Sequence, residues 1–361
     1  MTFVTASLRA LANLPRLPVA VEHRVVKFFC GLPPRLPRLL FGEPPVLDGQ
    51  QLAPDIHTLL WLDRLTSDDD MAREKGVVQA RAKRLKEARI VAHWPPIPMA
   101  RVEAVEITGP AGTIDARLYV PAGEPAPLLV YFHGGGWVIG DLDTHDDPCC
   151  FLASRASVRI LAVDYRLAPE HPFPAAAEDA LAAYAWAATN SEQLGAIAER
   201  IGVGGDSAGA NLAAATCLIA RDTGLPQPAM QLLIYPVTET AGTAPSRQSF
   251  GEGFLLTRGD MEWFEERYLP PGVDRDDPRV ALLNAPDLRA LPPAYIATAG
   301  FDPLRDEGEA YAQRLREAGV RVPLRRHPGL VHTFANLTAI CPTARAAMHE
   351  AAGALRLGLA G

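Results

Sequence analysis

Residues 205–209 read Gly-Asp-Ser-Ala-Gly, with small residues two positions before and two positions after a serine. An apolar run at 201–203 predicts a buried strand before the serine, and an alanine-rich run at 210–221 predicts a helix after it. A strand that turns sharply into a helix exposes the serine, and small flanking residues let the two backbones pass closely. Ser207 is therefore the candidate nucleophile of an acyl-transfer reaction.

A second segment, His-Gly-Gly-Gly-Trp at 133–137, follows directly after a predicted strand at 128–132. Three consecutive glycines leave backbone N–H groups unshielded, and such donors stabilise the negative oxygen of a tetrahedral intermediate. The alternatives are an ordinary glycine-rich turn or a phosphate loop, but no Lys-Ser/Thr pair follows as a phosphate loop requires. We interpret the segment as an oxyanion loop.

A candidate acid and a candidate base come later in the chain. Asp302 follows a predicted strand at 294–298, and His332 follows the last predicted strand at 322–325. The resulting order of serine, aspartate and histidine is that of the α/β-hydrolase triad. In that triad the carboxylate orients the imidazole, and the imidazole takes the serine proton.

Rival acids and bases each have a structural explanation. His327 lies nearer the end of the last predicted strand, whereas a base that reaches the serine belongs in the loop beyond it. Asp306 falls in the first turn of a predicted helix, where the helix dipole favours an acid. Asp206 adjoins the serine, but consecutive residues on a tight turn point apart. We therefore interpret Asp206 as a turn-stabilising group.

Eight predicted strands position these residues. An opening hairpin is followed by six buried runs that alternate mostly with alanine-rich helices, which indicates a mostly parallel sheet covered on both faces. The predicted strands are residues 102–107, 113–120, 128–132, 159–163, 201–203, 230–234, 294–298 and 322–325.

Two regions do not fit this alternation. Residues 1–100 contain a predicted amphipathic helix at 71–93, and the connection at about 238–280 is long and contains a helix-like segment. We predict a helical segment over 1–100, a catalytic domain over 101–361, and an insert at 238–280 that belongs to the same added helical layer. The apolar face predicted for the first helix consists of Val77, Val78, Ala82, Leu85 and Ala88.

Composition excludes several classes of protein. The 361 residues are 48% hydrophobic and 21% charged, as in folded soluble domains, and the net charge of −7 lacks the basic excess of a nucleic-acid binder. No apolar run reaches transmembrane length, and Arg9, Pro15 and Arg16 interrupt any signal peptide. Five irregularly spaced cysteines without a CxxC pair favour reduced thiols over disulfides or zinc, so we expect a cytoplasmic protein.

Together, the two glycine-rich motifs, Asp-Tyr-Arg-Leu-Ala-Pro-Glu-His-Pro-Phe-Pro at 164–174 and Asp-Pro-Leu-Arg-Asp-Glu-Gly at 302–308 resemble the bacterial hormone-sensitive-lipase-like family of α/β-hydrolases. The resemblance covers roughly residues 101–357. It implies an α/β-hydrolase fold with a helical cap, and a carboxylesterase for short- to medium-chain acyl esters that needs no metal or organic cofactor. The chain departs from the family at Ala210 and Thr333, where glycine is frequent, and neither change removes a catalytic atom.

The resemblance also implies roles for individual residues. Ser207 would be the nucleophile, His332 the base and Asp302 its orienting acid. The oxyanion hole would consist of three backbone N–H groups, those of Gly135, Gly136 and Ala208.

The substrate pocket and the reaction leave alternatives open. Trp137, Trp263, Phe264 and Tyr268 are bulky residues beside the oxyanion loop or in the insert, and we predict that they line the pocket, with ordinary packing as the alternative. An amidase or lactonase would use the same triad on a different small-molecule substrate. A non-catalytic ligand receptor on the same fold is a further alternative, against which His332 argues.

Residues 1–42 contain six basic residues and one acid, interleaved with apolar residues that include Leu8, Leu11 and Leu14. This composition suits a segment that makes weak contact with an anionic membrane surface. The alternative is a cap helix that buries its apolar face over the active site and sets its arginines against the acidic body. The sequence leaves the oligomeric state open, with a dimer as one option.

Overall fold

The computed structural model describes residues 18–66, 76–123, 126–240 and 242–360. Eight strands of the described ranges form one sheet, as the sequence predicts: β3 (Arg101–Gly109), β4 (Gly112–Val120), β5 (Ala126–Phe132), β6 (Arg159–Val163), β7 (Ala196–Asp206), β8 (Gln231–Ile234), β9 (Ala294–Phe301) and β10 (Leu324–Val331). A separate short hairpin precedes them, β1 (Val46–Leu47) and β2 (Gln50–Gln51).

Four helices lie in the described part of the chain before the first strand of the sheet, and the later helices mostly alternate with the strands. They are α1 (Val19–Cys30), α2 (Arg35–Phe41), α3 (Pro54–Thr66), α4 (Val77–Val91), α5 (Asp146–Ala156), α6 (Ala175–Thr189), α7 (Ala208–Thr223), α8 (Pro245–Ser249), α9 (Arg258–Tyr268), α10 (Arg305–Glu317) and α11 (Pro342–Gly358). Two short 3-10 turns, Leu282–Asn284 and Phe334–Leu337, complete the described elements. None of the helices in the described ranges is both long and apolar enough to cross a membrane.

The sheet has the strand order β10-β9-β8-β7-β5-β6-β4-β3. Strands β5 to β10 run parallel to one another, while β4 is antiparallel to both β6 and β3. Alternate residues of β5 enter two different cores, with Val130 on one face and Tyr131 on the other. Helices α6, α7 and α10 cover the first face, and α5 and α11 cover the second. This is the α/β-hydrolase fold that the sequence predicts.

The carboxyl ends of the central parallel strands converge on one edge of the sheet. Ser207 directly follows β7, Asp302 directly follows β9 and His332 directly follows β10. The bounds predicted for the last strand were wrong, because β10 begins two residues later and continues to Val331. His327 therefore lies within the strand, while His332 is the first residue beyond it, where side chains from neighbouring strand ends can meet.

The helices before the sheet pack on one another and on the body. Helix α1 contacts α3 and α4, and α3 contacts α11 and β10. Asp55 at the start of α3 accepts hydrogen bonds from the N–H and the hydroxyl of Thr343 at 2.8 and 2.9 Å. The face predicted for α4 is correct at Ala88, which is buried, but wrong at Val78, which is 73% exposed, and at the exposed Ala82. Residues 71–75 of the helix predicted at 71–93 lie outside the described ranges. Residues 1–17, which carry part of the predicted basic and apolar segment, lie outside the described ranges.

Candidate active site

The turn between β7 and α7 holds Ser207 in a backbone conformation that is rare for any residue other than glycine. Its φ is +54° and its ψ is −119°, a combination that persists only where the surrounding packing enforces it. Gly205 and Gly209 both lie against the backbone carbonyl of Phe132, and a Cβ at either position would collide with that carbonyl. The two glycines therefore let strand and helix approach as closely as this turn requires.

Ser207 begins a chain of hydrogen bonds through three side chains. Its Oγ lies 3.0 Å from Nε2 of His332, and Nδ1 of His332 lies 2.8 Å from Oδ2 of Asp302. Asp302 is fully buried, and its Oδ1 accepts a hydrogen bond from the N–H of Leu304 at 2.8 Å. With the imidazole proton on Nδ1, the serine donates to Nε2 and the imidazole donates to the carboxylate. The structure thus brings together the three side chains predicted for acyl transfer.

The glycine loop after β5 borders the same cavity as Ser207. Gly135 and Gly136 line this cavity, and Ala208 is the buried residue that directly follows the serine. Within the described ranges, the N–H groups of Gly135, Gly136 and Ala208 donate to no backbone or side-chain acceptor. Donors left unused at a buried site can receive a negative oxygen that develops on a bound carbonyl. The geometry is compatible with the predicted oxyanion hole.

Asp206 connects the serine turn to the glycine loop. Its Oδ1 accepts hydrogen bonds from the N–H of Gly134 at 3.0 Å and from the hydroxyl of Tyr131 at 2.7 Å. Nε2 of His145 lies 3.3 Å from the same oxygen, and the hydroxyl of Tyr235 lies 3.4 Å from Oδ2. Asp206 is only 2% exposed. Its carboxylate therefore holds the loop as well as the turn, which is more than the turn-stabilising role that the sequence indicates.

The carboxyl group of Asp206 stays ionised in spite of its burial. Burial alone would raise its pKa, but the contacts with His145, the hydrogen bond from Tyr131 and the positive charge of Arg84 outweigh that effect. The pKa of Asp206 is therefore held below its ordinary value. An ionised carboxylate is acceptor-only, so it can serve the N–H and hydroxyl donors that surround it.

His133, the first residue of the glycine loop, is held in place by Tyr165. Its ring stacks on that of Tyr165 with centroids 4.4 Å apart, and the hydroxyl of Tyr165 donates to the carbonyl of His133 at 2.7 Å. Burial and the neighbouring His145 lower the pKa of His133 to about 4. The imidazole is thus neutral at neutral pH and acts as a packing and hydrogen-bonding group beneath the loop.

Tyr235 is a site residue that the sequence analysis missed. It directly follows β8, and its ring lies 4.5 Å from the imidazole of His332. Its hydroxyl accepts from the N–H of Ala335 at 3.3 Å and donates to Asp206. Burial, with a smaller contribution from Asp206, raises the pKa of Tyr235 well above its ordinary value, so the hydroxyl remains a donor. Its position at the end of a central parallel strand is the signal that could have identified it.

A cavity of about 450 Å³ opens above these groups, between the sheet edge and helices α3, α4 and α9. Of the four predicted pocket residues, Trp137 and Phe264 line the cavity, and the Phe264 ring lies against Gly136. Trp263 and Tyr268 are buried outside the cavity wall. Tyr268 stacks on Trp137 with centroids 4.4 Å apart, and Trp263 packs edge-on against Phe264 at 5.4 Å. These two residues support the wall from outside.

No cluster of three His, Cys, Asp or Glu side chains in the described ranges has an arrangement that would hold a metal ion. Ser207, His332 and Asp302 are instead hydrogen-bonded to one another. The groups at hand are a serine hydroxyl, an imidazole that can accept its proton, and a set of backbone donors. This combination can carry out nucleophilic attack on an acyl carbon.

Comparison with known proteins adds sequence and structural relatives. A family profile for the α/β-hydrolase fold matches residues 129–336. The carboxylic ester hydrolase LipN of Mycobacterium tuberculosis is 44% identical over 98% of this chain and 97% of its own length. The carboxylesterase NlhH of the same organism is 39% identical over 85% of this chain and 97% of its own length.

Solved structures agree with these sequence relatives. An α/β-hydrolase from the metagenome of Lake Arreo superimposes with a TM-score of 0.83 and 40% identity, over 86% of this chain and 99% of that one. A hyperthermophilic esterase from Pyrobaculum calidifontis superimposes with a TM-score of 0.81 and 40% identity, over 85% and 98%. The likeness therefore extends over nearly the whole length of these proteins.

The Asp206 network predicts a pH-dependent stability. We expect Asp206→Asn to lower the free energy of unfolding at pH 7 by about 1–3 kcal/mol, because buried donors lose a charged acceptor. Since the folded-state pKa of Asp206 is depressed, its ionised form stabilises the protein above the unfolded-state pKa near 4, and this contribution falls as the pH drops toward the folded-state value. Urea unfolding at pH 7 and pH 3 should therefore show a smaller difference between wild type and variant at the lower pH.

Asp222 offers a matched control for this experiment. Its side chain is 62% exposed beside Arg221, and exposed ion pairs contribute little to stability. Asp222→Asn should change the free energy of unfolding by less than about 1 kcal/mol at either pH. Equal losses in the Asp206 and Asp222 variants would contradict the role given to the buried network.

Proposed function

Because the chain belongs to the α/β-hydrolase family, in its bacterial hormone-sensitive-lipase-like branch, we propose that it is a serine carboxylesterase for short- to medium-chain acyl esters. The observation that carries the proposal is the hydrogen-bonded chain from Ser207 through His332 to Asp302 at the floor of a cavity. The reaction proceeds through an acyl-enzyme on Ser207 and uses only groups of the chain and water.

In the first half of the reaction, Oγ of Ser207 attacks the ester carbonyl while Nε2 of His332 takes its proton. Asp302 holds the imidazole in the tautomer that accepts this proton and stabilises the cation that forms. The carbonyl oxygen becomes negative and is received by the N–H groups of Gly135, Gly136 and Ala208. The imidazolium then gives its proton to the departing alcohol, which leaves the acyl group on Ser207.

In the second half, water replaces the alcohol. His332 takes a proton from the water, the resulting nucleophile attacks the acyl carbon, and the second tetrahedral intermediate uses the same N–H groups. Collapse of this intermediate releases the acid and returns the proton to Oγ of Ser207. No redox step occurs, and the net reaction is ester plus water to acid plus alcohol.

We assign the parts of the chain accordingly. Residues 101–361 form the catalytic domain, and residues 1–100 with the insert at 238–280 form a helical cap. Helices α3, α4 and α9 contribute to the cavity wall, which supports this assignment. A cavity of about 450 Å³ suits a small ester rather than a long-chain triglyceride. The five cysteines are all free and buried, which favours a reducing compartment, the cytoplasm.

The triad assignment predicts that Ser207→Ala and His332→Ala each lower kcat for a chromogenic acetate or butyrate ester by roughly a thousandfold or more. The double variant should be scarcely slower than either single variant, because the two residues act as one unit. An organophosphate should label Ser207 in the wild type and not in Ser207→Ala. A tenfold lower turnover corresponds to an activation free energy that is higher by about 1.4 kcal/mol. If a single variant retains more than about a tenth of wild-type turnover, the assignment is wrong.

The same ester panel, run beside amide and lactone substrates, separates the proposed function from its alternatives. A carboxylesterase hydrolyses the esters with the highest kcat/KM. An amidase or a lactonase would instead prefer its own substrate class, and a ligand receptor would bind the compounds without turnover. The preferred acyl length within the ester series then reports on the pocket.

The cavity wall predicts opposite outcomes for two adjacent aromatic residues. Phe264→Ala should shift the preferred acyl length upward, because the Phe264 ring borders the cavity beside Gly136. Trp263→Ala should lower the free energy of unfolding by about 3–5 kcal/mol without changing the preference, since its ring is buried behind the wall. Relative kcat/KM values across acyl lengths and urea unfolding measure the two effects. A shifted preference in the Trp263 variant alone would contradict this description of the wall.

We further propose that the outer surface of α1 and α2 makes weak contact with anionic membranes. Phe28 is 64% exposed and Leu39 is 82% exposed, and both helices carry exposed basic residues. The inner face of α1 buries His23 and Cys30 against the neighbouring helices. The cap interpretation thus applies to the inner face of this segment, which packs on the neighbouring helices. The membrane interpretation applies to its outer face, which is exposed, cationic and apolar. Such a surface complements anionic lipid headgroups.

For the membrane contact, we expect full-length protein to co-sediment with vesicles containing phosphatidylglycerol at low salt and to be released at high salt. The double variant Phe28→Ser, Leu39→Ser should lose this binding while it hydrolyses soluble short esters as the wild type does. Vesicles of phosphatidylcholine alone serve as the control for charge. Wild-type protein that stays in the supernatant with anionic vesicles at low salt would rule the contact out.

A further inference from the structure

Helix α4 forms one wall of the cavity that contains Ser207 and His332. Its residues Lys83, Arg84 and Glu87 border this cavity. The helix also packs against the 3-10 turn Phe334–Leu337, which begins two residues after His332. A charged face of this helix is thus directed at the space where a substrate binds.

Arg81 fixes α4 to the body one turn before Arg84. Its guanidinium donates to the backbone carbonyls of Val138 and Ala168 at 2.9 and 3.0 Å, and it forms a bidentate pair with Glu170 at 2.9 and 2.7 Å. Val138 directly follows the glycine loop and its tryptophan. Since residues three apart lie on the same side of a helix, this anchor determines where Arg84 stands relative to the loop.

A second contact fixes the other end of the helix. The N–H of His93, two residues beyond α4, donates to Oδ1 of Asp147 at 2.8 Å, and its ring nitrogen Nδ1 lies 2.9 Å from the same oxygen. Asp147 belongs to α5, on the body of the protein. The cavity face of α4 is therefore held at both ends, which is the condition for a side chain on it to act as a specific binding group.

Most charged groups around the cavity are engaged with other groups of the chain. Arg247 pairs with Glu307 and Glu265 at 2.7 and 3.7 Å. Asp260 accepts from the N–H and the hydroxyl of Thr257 as part of the helix cap of α9. Other charged residues of the wall have interactions of their own as well: Asp63, Arg64, Lys83, Glu87 and Glu265.

Arg84 differs from these residues. Within the described ranges no carboxylate or carbonyl group hydrogen-bonds or ion-pairs with its guanidinium. Burial raises the pKa of Asp206, and the positive charge of Arg84 contributes, after the larger effects of His145 and the hydrogen bond from Tyr131, to keeping this pKa low. Asp206 adjoins Ser207, so the field of Arg84 reaches the residue next to the nucleophile. A half-buried guanidinium in this position has donors available for a ligand.

We infer that Arg84 forms an anion subsite of the cavity, and that the esters it selects carry a carboxylate besides the ester group. This inference rests on the proposed esterase function. A guanidinium presents two parallel N–H donors that match the two oxygens of a carboxylate, which gives both attraction and orientation. The carboxylate remains unchanged through the reaction, while Ser207 and His332 act on the ester group a few bonds away.

Two pairs of small esters test the subsite on either side of the scissile bond. For a charge in the alcohol part, 4-acetoxybenzoate is compared with its neutral methyl ester. For a charge in the acyl part, mono-4-nitrophenyl adipate is compared with 4-nitrophenyl hexanoate. The measured quantity is the selectivity, the kcat/KM of the anionic ester divided by that of its neutral partner, which cancels general changes in folding or in the triad.

Arg84→Gln should lower this selectivity by roughly tenfold to a hundredfold for at least one pair, mainly through a higher KM. Arg84→Lys should restore part of it, since lysine retains the charge but not the bidentate geometry. Rising salt should lower the selectivity of the wild type and not that of Arg84→Gln. Arg89→Gln is the matched control, because Arg89 is an exposed residue of the same helix outside the cavity wall.

Unchanged selectivity in Arg84→Gln for both pairs would overturn the inference while leaving the esterase function intact. A wild type that hydrolyses none of the four esters would instead contradict the proposed function. In that case calorimetric titration of Ser207→Ala with 4-acetoxybenzoate, with and without Arg84→Gln, still decides the question. Weaker binding in the double variant supports the subsite, and equal binding refutes it.

Discussion

The ionised carboxylate of Asp206 is the interaction on which the geometry of the site depends. The serine turn follows β7 and the glycine loop follows β5, so the two segments extend from different strands. Asp206 belongs to the first and accepts a hydrogen bond from Gly134 of the second at 3.0 Å. Because the carboxylate is buried, it must be paired with several donors. Its hydrogen bonds therefore fix the position of the serine turn relative to the glycine loop.

Close packing of the backbone around the serine turn also fixes the turn relative to the glycine loop. Gly134 has no room for a Cβ beside Asp206, and Gly205 and Gly209 have none beside the carbonyl of Phe132. At Gly205 and Gly209 the atoms that a Cβ would meet are backbone atoms, so a larger residue there would push the strand, turn and loop apart. The glycines of the two motifs are therefore required for a second reason besides the N–H groups that they expose. They allow the backbones of the strand, the serine turn and the glycine loop to pack closely.

Sequence periodicity predicts the residues of the sheet edge better than those of the added helices. Ser207, Asp302 and His332 could be placed because each follows a buried strand, and parallel strands share one carboxyl edge. The last strand was predicted to end at Arg325, too early, because Arg326 and Pro328 interrupt the apolar pattern of this edge strand, where one side is open to solvent. Trp263 and Phe264 could not be distinguished, because adjacent residues of one helix differ only in direction, and tertiary packing sets that direction.

Helix α4 shows why the remaining features escaped prediction. The apolar pattern placed Val78 and Ala82 on the buried face, but both are exposed. Arg81 and Arg84 instead face the body and the cavity. The inner side of a helix over a binding site contacts both the protein and the cavity. The part that faces the cavity can carry polar residues, and in the sequence these are indistinguishable from residues that face solvent. The groups proposed for the reaction therefore follow strand ends, which the sequence reveals, whereas the group proposed for substrate selection lies on a charged helix face, which only the packed structure identifies.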